Sequence, residues 1–303
     1  MNPSTRPFGT LLTAMVTPLH LDGEIDFDAA RRVASYLVDH GSDGLVLSGT
    51  TGEAPTTHAP EKVALIEAVK DEVGDRAFIV SGAGSNDTAH AVRMAEQAAD
   101  AGADGILALT PYYSRPSQAG MIAHFDAIVE ATDLPVMLYD IPGRTGLAIT
   151  DASMDILAAR ETIVAVKDAT GDIKQAKQRM ERTGLAWYSG DDPLTLDFLR
   201  AGAVGAVSVA SHAIGDVIRR MIDAHEAGDK KAADAAFEQS LPVIDAIMGA
   251  GIGAVMAKAA MHAMSVIDNR HMRLPHLAAT HEEYHALIAA LSAAGVPVRA
   301  IGE

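Results

Sequence analysis

Gly102-Ala103-Asp104-Gly105, followed at once by the apolar run Ile106-Leu107-Ala108-Leu109, is a phrase that recurs along this chain. Gly41-Ser42-Asp43-Gly44 and Gly202-Ala203-Val204-Gly205 stand in the same place before two other short apolar runs. A glycine just past a helix adopts the left-handed conformation that turns the chain back, so each phrase reads as a helix end handing over to a strand. Working outward, β-rich runs fall at residues 10–16, 44–48, 77–81, 105–109, 135–139, 163–167, 186–189 and 206–209, with helical stretches between them. Such alternation marks βα units on a parallel sheet. Eight units predict an α/β fold, a (β/α)8 TIM barrel over residues 1–228. A doubly wound open sheet is the alternative, but it usually has fewer strands and a Gly-rich phosphate loop after the first; here the first run ends in Val16-Thr17-Pro18.

A helix over about residues 213–227 is expected to close the barrel, and residues 229–303 show no strand pattern. Asp229 precedes Lys230-Lys231 as a helix cap, residues 254–264 lie in a second helix, and His281-Glu282-Glu283 opens a last one ending at Gly295. The expectation is a C-terminal helical extension packed on the barrel and contributing a subunit interface.

A length of 303 residues suits a barrel, which typically takes about 250. Cysteine is absent, which removes disulfides, thiolate metal sites, iron-sulfur clusters and a cysteine nucleophile. A net charge of -16 argues against nucleic acid and anionic membranes as partners, because both are bound through clustered Lys and Arg. Residues 1–7 lack the apolar core of a leader, and no stretch has membrane-spanning character, so a cytoplasmic protein is expected. Gly82-Ala83-Gly84-Ser85-Asn86 lacks the third glycine and the first-strand position of a dinucleotide loop. Asp191-Asp192 reads as helix N-capping before Pro193 rather than as metal ligation.

Barrel enzymes build their sites from loops at the C-terminal ends of the strands. Lys62, Lys70, Lys174, Lys177, Lys230 and Lys231 fall among charged residues on expected helix surfaces, whereas Lys167 ends the apolar run Ile163-Val164-Ala165-Val166. Burial there lowers an amine's pKa by up to ~3–5 units, and a neutral amine attacks a ketone to form an imine. A structural ion pair with Asp168 stands beside that reading. Lys258, in Val255-Met256-Ala257-Lys258-Ala259, is the rival lysine, read as a snorkelling stem or subunit contact. Tyr139 ends the fifth run and neighbours Lys167 in a sequentially ordered barrel, where a phenol can relay protons with Thr50 and Tyr113. Gly49 and Gly52 permit close backbone approach, the amides of Thr50 and Thr51 suit a carboxylate, and Arg144 offers a two-pronged donor to another.

Together, Gly49-Thr50-Thr51-Gly52-Glu53, Thr110-Pro111-Tyr112-Tyr113 with Arg115-Pro116, the segment from Tyr139 to Thr145, and Val166-Lys167 resemble the dihydrodipicolinate synthase and N-acetylneuraminate lyase family of class I aldolase-like barrels. The likeness spans nearly the whole chain. It implies a lyase in which Lys167 forms an imine with pyruvate, Tyr139 relays protons, and Thr50 and Tyr113 complete the relay. Thr51 is implied to hold the pyruvate carboxylate, with Gly49 and Val209 as further substrate contacts, and Arg144 to guide L-aspartate 4-semialdehyde. Tyr113 is implied to reach into a neighbouring subunit of a tetramer built from tight dimers. No cofactor beyond Lys167 is implied, and the product feeds lysine and diaminopimelate synthesis. An N-acetylneuraminate or keto-deoxy sugar acid lyase is the alternative within the family; a ligand sensor on a dead barrel fits poorly with an intact Lys167, Tyr139, Thr50 and Tyr113.

Two departures bear on this reading. Asp140 replaces the asparagine common after the tyrosine. Where lysine-inhibited relatives present an acidic residue and histidines, this chain has His90, Ala59 and Lys62, while Asn86 and Tyr112 remain. A cationic pair suits a lysine ammonium poorly, so weak or absent lysine inhibition is expected.

Overall fold

The apolar runs are eight parallel strands closed into one barrel in sequence order. The structure, a computed structural model, describes residues 6–249 and 251–299. The strands are β1 (Leu11–Ala14), β2 (Gly44–Leu47), β3 (Phe78–Gly82), β4 (Gly105–Leu109), β5 (Val136–Asp140), β6 (Ile163–Asp168), β7 (Ala186–Ser189) and β8 (Gly205–Ser208), each within two residues of the run that predicted it. The outer ring is α1 (Phe27–Asp39), α2 (Ala59–Val73), α3 (Thr88–Asp100), α4 (Gln118–Glu130), the short α5 (Pro142–Thr145), α6 (Asp151–Ala158), α7 (Ile173–Thr183), α8 (Thr195–Ala201) and α9 (Ser211–Glu226). The side chains of Asp26, Ser117, Thr150 and Asp172 accept amides of the first turn and fix where α1, α4, α6 and α7 begin.

The repeated phrase does more than turn the chain. Gly41, Gly102 and Gly202 have φ of +99°, +86° and +117°, which favours glycine. The aspartate two residues on then ties the new strand to its predecessor. Asp43 accepts the amides of Thr10 and Leu11 at 2.7 and 3.0 Å, and Asp104 accepts that of Ile79 at 2.8 Å. Arg219 and Lys70 neutralise these two carboxylates from the helix layer. The third phrase has Val204 at that position and makes no such clamp.

Strand residues alternate between two apolar layers. One set, including Leu12, Val46, Val80, Leu107, Met137, Tyr139, Tyr188 and Val207, fills the barrel interior. The other packs against the surrounding helices. The C-terminal helices α10 (Lys230–Ile244), α11 (Gly253–Ala263) and α12 (His281–Ala293) extend this outer core, with α10 packed on α9 and α11 on both α9 and α12. Asp229 caps α10 as its sequence suggested. Among the described residues, no single helix is long and apolar enough to cross a membrane.

Lys258 departs from expectation. Its side chain does not snorkel; it is fully buried and paired with Glu53, and it also donates to the His271 carbonyl at 2.9 Å. The other Glu53 oxygen accepts the Arg273 amide at 2.9 Å. Helix α11 and the segment after it therefore hold the loop that carries Thr50 and Thr51. Removing one partner of a buried ion pair typically costs about 3–5 kcal/mol because the remaining charge is stranded. Equilibrium denaturation should show a loss of that order for Lys258→Met, with part of it recovered in the Lys258→Met/Glu53→Gln double variant.

Candidate active site

Lys167 is set by register. Strand pairing places it level with Tyr139 on β5 and Tyr188 on β7, both of the interior layer, near the C-terminal mouth of the barrel. Asp168, not Lys167, is the last residue of β6. Lys167 is 5 % exposed and its Nζ lies 4.4 Å from the centroid of the Tyr139 ring. The stem runs past Gly190, where a Cβ would sit 3.0 Å from Lys167 Cγ and 3.1 Å from Cε. Burial lowers the amine to about 8; the Asp192 carboxylate opposes that shift and the Arg144 guanidinium adds to it. The ion pair with Asp168 does not form. Asp168 instead accepts the Trp187 indole N–H at 2.9 Å and the Thr170 hydroxyl and amide at 2.7 and 2.9 Å.

Asp192 is another residue that reading the sequence misassigned. It is buried, and it is not a helix cap: Oδ2 accepts the amides of Val209 and Ala210, both at 2.9 Å, joining the end of β7 to the end of β8. Its charge is also the one that favours protonated Lys167. The signal available in the sequence was position, because a residue just past the seventh strand of a closed barrel must neighbour the end of the sixth. Val209 itself lies immediately after β8, partly buried at the same rim.

Tyr139 is 6 % exposed, and burial pushes its phenol up to about 12, so it is protonated at neutral pH. Arg144 and the Thr50 hydroxyl act in the opposite direction, which puts both within electrostatic reach of the phenol. Arg144 is exposed on α5, whose first residue is Pro142. The Thr50 loop is a tight turn in which Gly49 O accepts the Ala54 amide at 3.1 Å, and both Ser48 and Glu53 have positive φ. Thr51 is buried in it, while Gly49 and Thr50 are partly open. Gly52 serves packing rather than ligand approach, since a Cβ there would lie 3.0 Å from Met15 O and 3.2 Å from Ser48 N.

Tyr113 is not brought to Lys167 of its own chain. It has a φ of +69° and is 87 % exposed, an unusual cost for an aromatic side chain. Asp140 is buried on the opposite side of β5 from the site. It accepts the Ile149 amide at 3.4 Å and Arg179 Nη1 at 3.2 Å, and burial raises its carboxyl to about 6. The substitution at 140 therefore changes the strand–helix layer, where the buried Arg179 answers it.

Lys167, Tyr139, Thr50 and Arg144 thus come together, with Asp192 behind the amine. Fold and site define a class: a (β/α)8 barrel with a desolvated lysine at its catalytic mouth. The family model that matches, over residues 7–294, is the Dihydrodipicolinate synthetase family, and the chain belongs to it. It is 51 % identical over 271 residues to the 4-hydroxy-tetrahydrodipicolinate synthase of Bifidobacterium longum, covering 89 % of each chain. It is 51 % identical over 289 residues to the enzyme of that name from Acidothermus cellulolyticus, covering 95 % of this chain and 93 % of the relative. Among solved structures, dihydrodipicolinate synthase from Bacillus anthracis superposes with a TM-score of 0.90 at 40 % identity, covering 94 % of this chain and 98 % of that one.

Two outcomes follow from the amine's setting. With an imine mechanism on Lys167, Gly190→Ala, whose Cβ would also meet Asp168 O at 3.0 Å, should displace the Lys167 stem and slow imine formation by roughly 10-fold or more, as misplacement of a reacting group does. With the neutral Lys167 amine as nucleophile, the rate of imine formation should rise with pH and level off above about 8; an exposed lysine would keep rising towards 10. Single-turnover trapping across pH measures both.

Proposed function

We propose that Lys167 forms an imine with pyruvate and that Tyr139, Thr50 and a Tyr113 from a neighbouring subunit move the protons. The activity is that of 4-hydroxy-tetrahydrodipicolinate synthase, a lyase of lysine and diaminopimelate biosynthesis that condenses pyruvate with L-aspartate 4-semialdehyde. The single observation that carries the residue assignment is the burial of Lys167 above Tyr139 at the barrel mouth.

The neutral Nζ attacks C2 of pyruvate, and the carbonyl oxygen takes a proton to give a carbinolamine. Loss of water leaves the imine. The protonated imine withdraws electrons from C3, which gives up a proton to become an enamine carbon. That carbon attacks the aldehyde, and the new alkoxide is protonated through the Tyr139 phenol, which burial keeps in its acid form. The substrate amine then adds to the imine carbon and displaces Lys167, closing the ring and returning the free lysine. Thr51 and the Gly49 turn hold the pyruvate carboxylate, Val209 lies beside the bound substrate, and Arg144 receives the second carboxylate as a planar fork.

The exposed Tyr113 at positive φ supports its use in trans within a tight dimer, two of which make the tetramer we propose. The barrel over residues 1–228 carries the chemistry, while the extension over 229–303 positions the Thr50 loop through Lys258. A cytoplasmic location suits a cysteine-free chain. Arg144 favours a dicarboxylate-forming condensation over cleavage of a polyhydroxylated sugar acid.

Assaying pyruvate with L-aspartate 4-semialdehyde beside N-acetylneuraminate cleavage should give turnover in the first alone, abolished by Lys167→Ala. Tyr113→Phe should lose about 10²-fold or more, as a proton-relay group does. Co-expressing the Tyr113→Phe and Lys167→Ala chains should restore about a quarter of wild-type activity, because random isologous pairing yields one intact site in half of the dimers. No recovery would place Tyr113 in its own chain's site.

A further inference from the structure

One buried, titratable side chain at the barrel mouth takes no part in the chemistry above. His212, in the first turn of α9, is fully buried. Pairing of β1 with β8 ends at Thr13 and Ser208, and beyond that point the His212 ring bridges the two chain segments. Its Nε2 accepts the Val16 amide at 3.1 Å, and its Nδ1 lies 2.8 Å from the Val209 carbonyl oxygen. A backbone amide can only donate, so Nε2 carries no proton and the Nδ1–H donates to Val209. Burial pushes the imidazole down to about 4, which keeps it neutral, and both bonds in place, at neutral pH.

These two bonds join parts of the rim that strand pairing no longer reaches. The Val209 peptide group is gripped on both sides, its amide by Asp192 and its carbonyl by His212. Across the seam, Val16 is followed by Thr17, whose hydroxyl donates to the Gly52 carbonyl at 2.8 Å. Gly52 belongs to the turn that carries Thr50 and Thr51. A continuous path therefore runs from Asp192, whose charge acts on Lys167, through Val209, His212, Val16 and Thr17 to the Thr51 turn. Cutting it at the imidazole would strand the Val16 amide away from water, a state the chain relieves by shifting.

We propose that His212 is a positioning residue: its imidazole fixes the separation between the Val209 rim and the Thr51 turn, and so sets how tightly pyruvate is held. The inference rests on the assignment of Thr51, the Gly49 turn and Val209 to pyruvate. His212 acts through the backbone on either side of it and not by contact with the substrate. An interaction that holds the substrate equally before and during reaction changes KM and leaves kcat in place. A histidine that served only to close the barrel would act on Tm and on the fraction of active enzyme instead.

Two substitutions divide the functions of the ring. In His212→Asn the amide nitrogen falls near the Nδ1 position and still serves Val209, but the side chain is too short for Val16. In His212→Gln the terminal oxygen reaches the Nε2 position and accepts the Val16 amide. Beneath the ring the Thr13 hydroxyl lies 2.7 Å from those of Ser42 and Ser211, which keeps α9 seated on β1 in both variants. His212→Asn is expected to raise the pyruvate KM, and the half-saturating pyruvate for borohydride trapping at Lys167, by about fivefold or more, the worth of one lost hydrogen bond. Its kcat and its KM for L-aspartate 4-semialdehyde should stay within about twofold of wild type, and His212→Gln should stay near wild type in every parameter. Thr17→Val cuts the same path one link on; it should raise the pyruvate KM likewise, and the double variant with His212→Asn should go no further. It carries the test alone should His212→Asn fail to fold. An unchanged pyruvate KM in His212→Asn and Thr17→Val, equal rises in the Asn and Gln variants, or effects that multiply in the double variant would overturn the proposal. No adduct on wild-type Lys167 would remove the catalytic reading instead, and the steady-state pyruvate KM would still decide the role of His212.

Discussion

Taking an amine out of water at the mouth of a barrel is costly, and the architecture of this protein is arranged around keeping one there. Desolvation favours neutral Lys167, and the Asp192 carboxylate that opposes it is already engaged by two backbone amides. The lysine is therefore held near the balance between its two protonation states. That balance suits a group that must be a nucleophile in one step and a protonated imine in the next. The same burial keeps Tyr139 in its acid form, so one physical cause prepares both the proposed nucleophile and the proposed proton donor.

Holding the site open to substrate while its walls stay dry requires support from outside the barrel. The Thr50 turn carries two residues with positive φ and has Gly52 pressed against β1. It is pinned from below by Glu53, whose two oxygens are taken by Lys258 and by the Arg273 amide. The C-terminal helices thus hold the Thr50 turn through a buried ion pair. A second buried lysine, Lys62, lines a cavity whose wall also includes Thr50 and Tyr139.

What was legible in the sequence was local. The Gly-x-Asp-Gly phrases announce turns, and the eight apolar runs announce strands, because both depend on neighbours in the chain. Lys167 stood out for a similar reason: it alone among the lysines follows directly on an apolar strand run. The misreadings share a different cause. Lys258 and Glu53 are 205 residues apart, Lys62 and Met94 32, and Asp192 and the Val209 amide 17. In each case a local motif, a helix surface or a cap, competed with a partner that only the closed barrel supplies. Tyr113 was nameable from its motif, but nothing local in the sequence announces its exposed, left-handed setting.

The central claim is that a covalent bond forms between pyruvate and one particular amine. Borohydride reduction of the enzyme in the presence of isotope-labelled pyruvate, followed by peptide mass spectrometry, tests it most directly. The account predicts a reduced adduct on the peptide containing Lys167, and on that peptide alone. An unlabelled Lys167 peptide, or an adduct carried instead by Lys258 or Lys62, would contradict it.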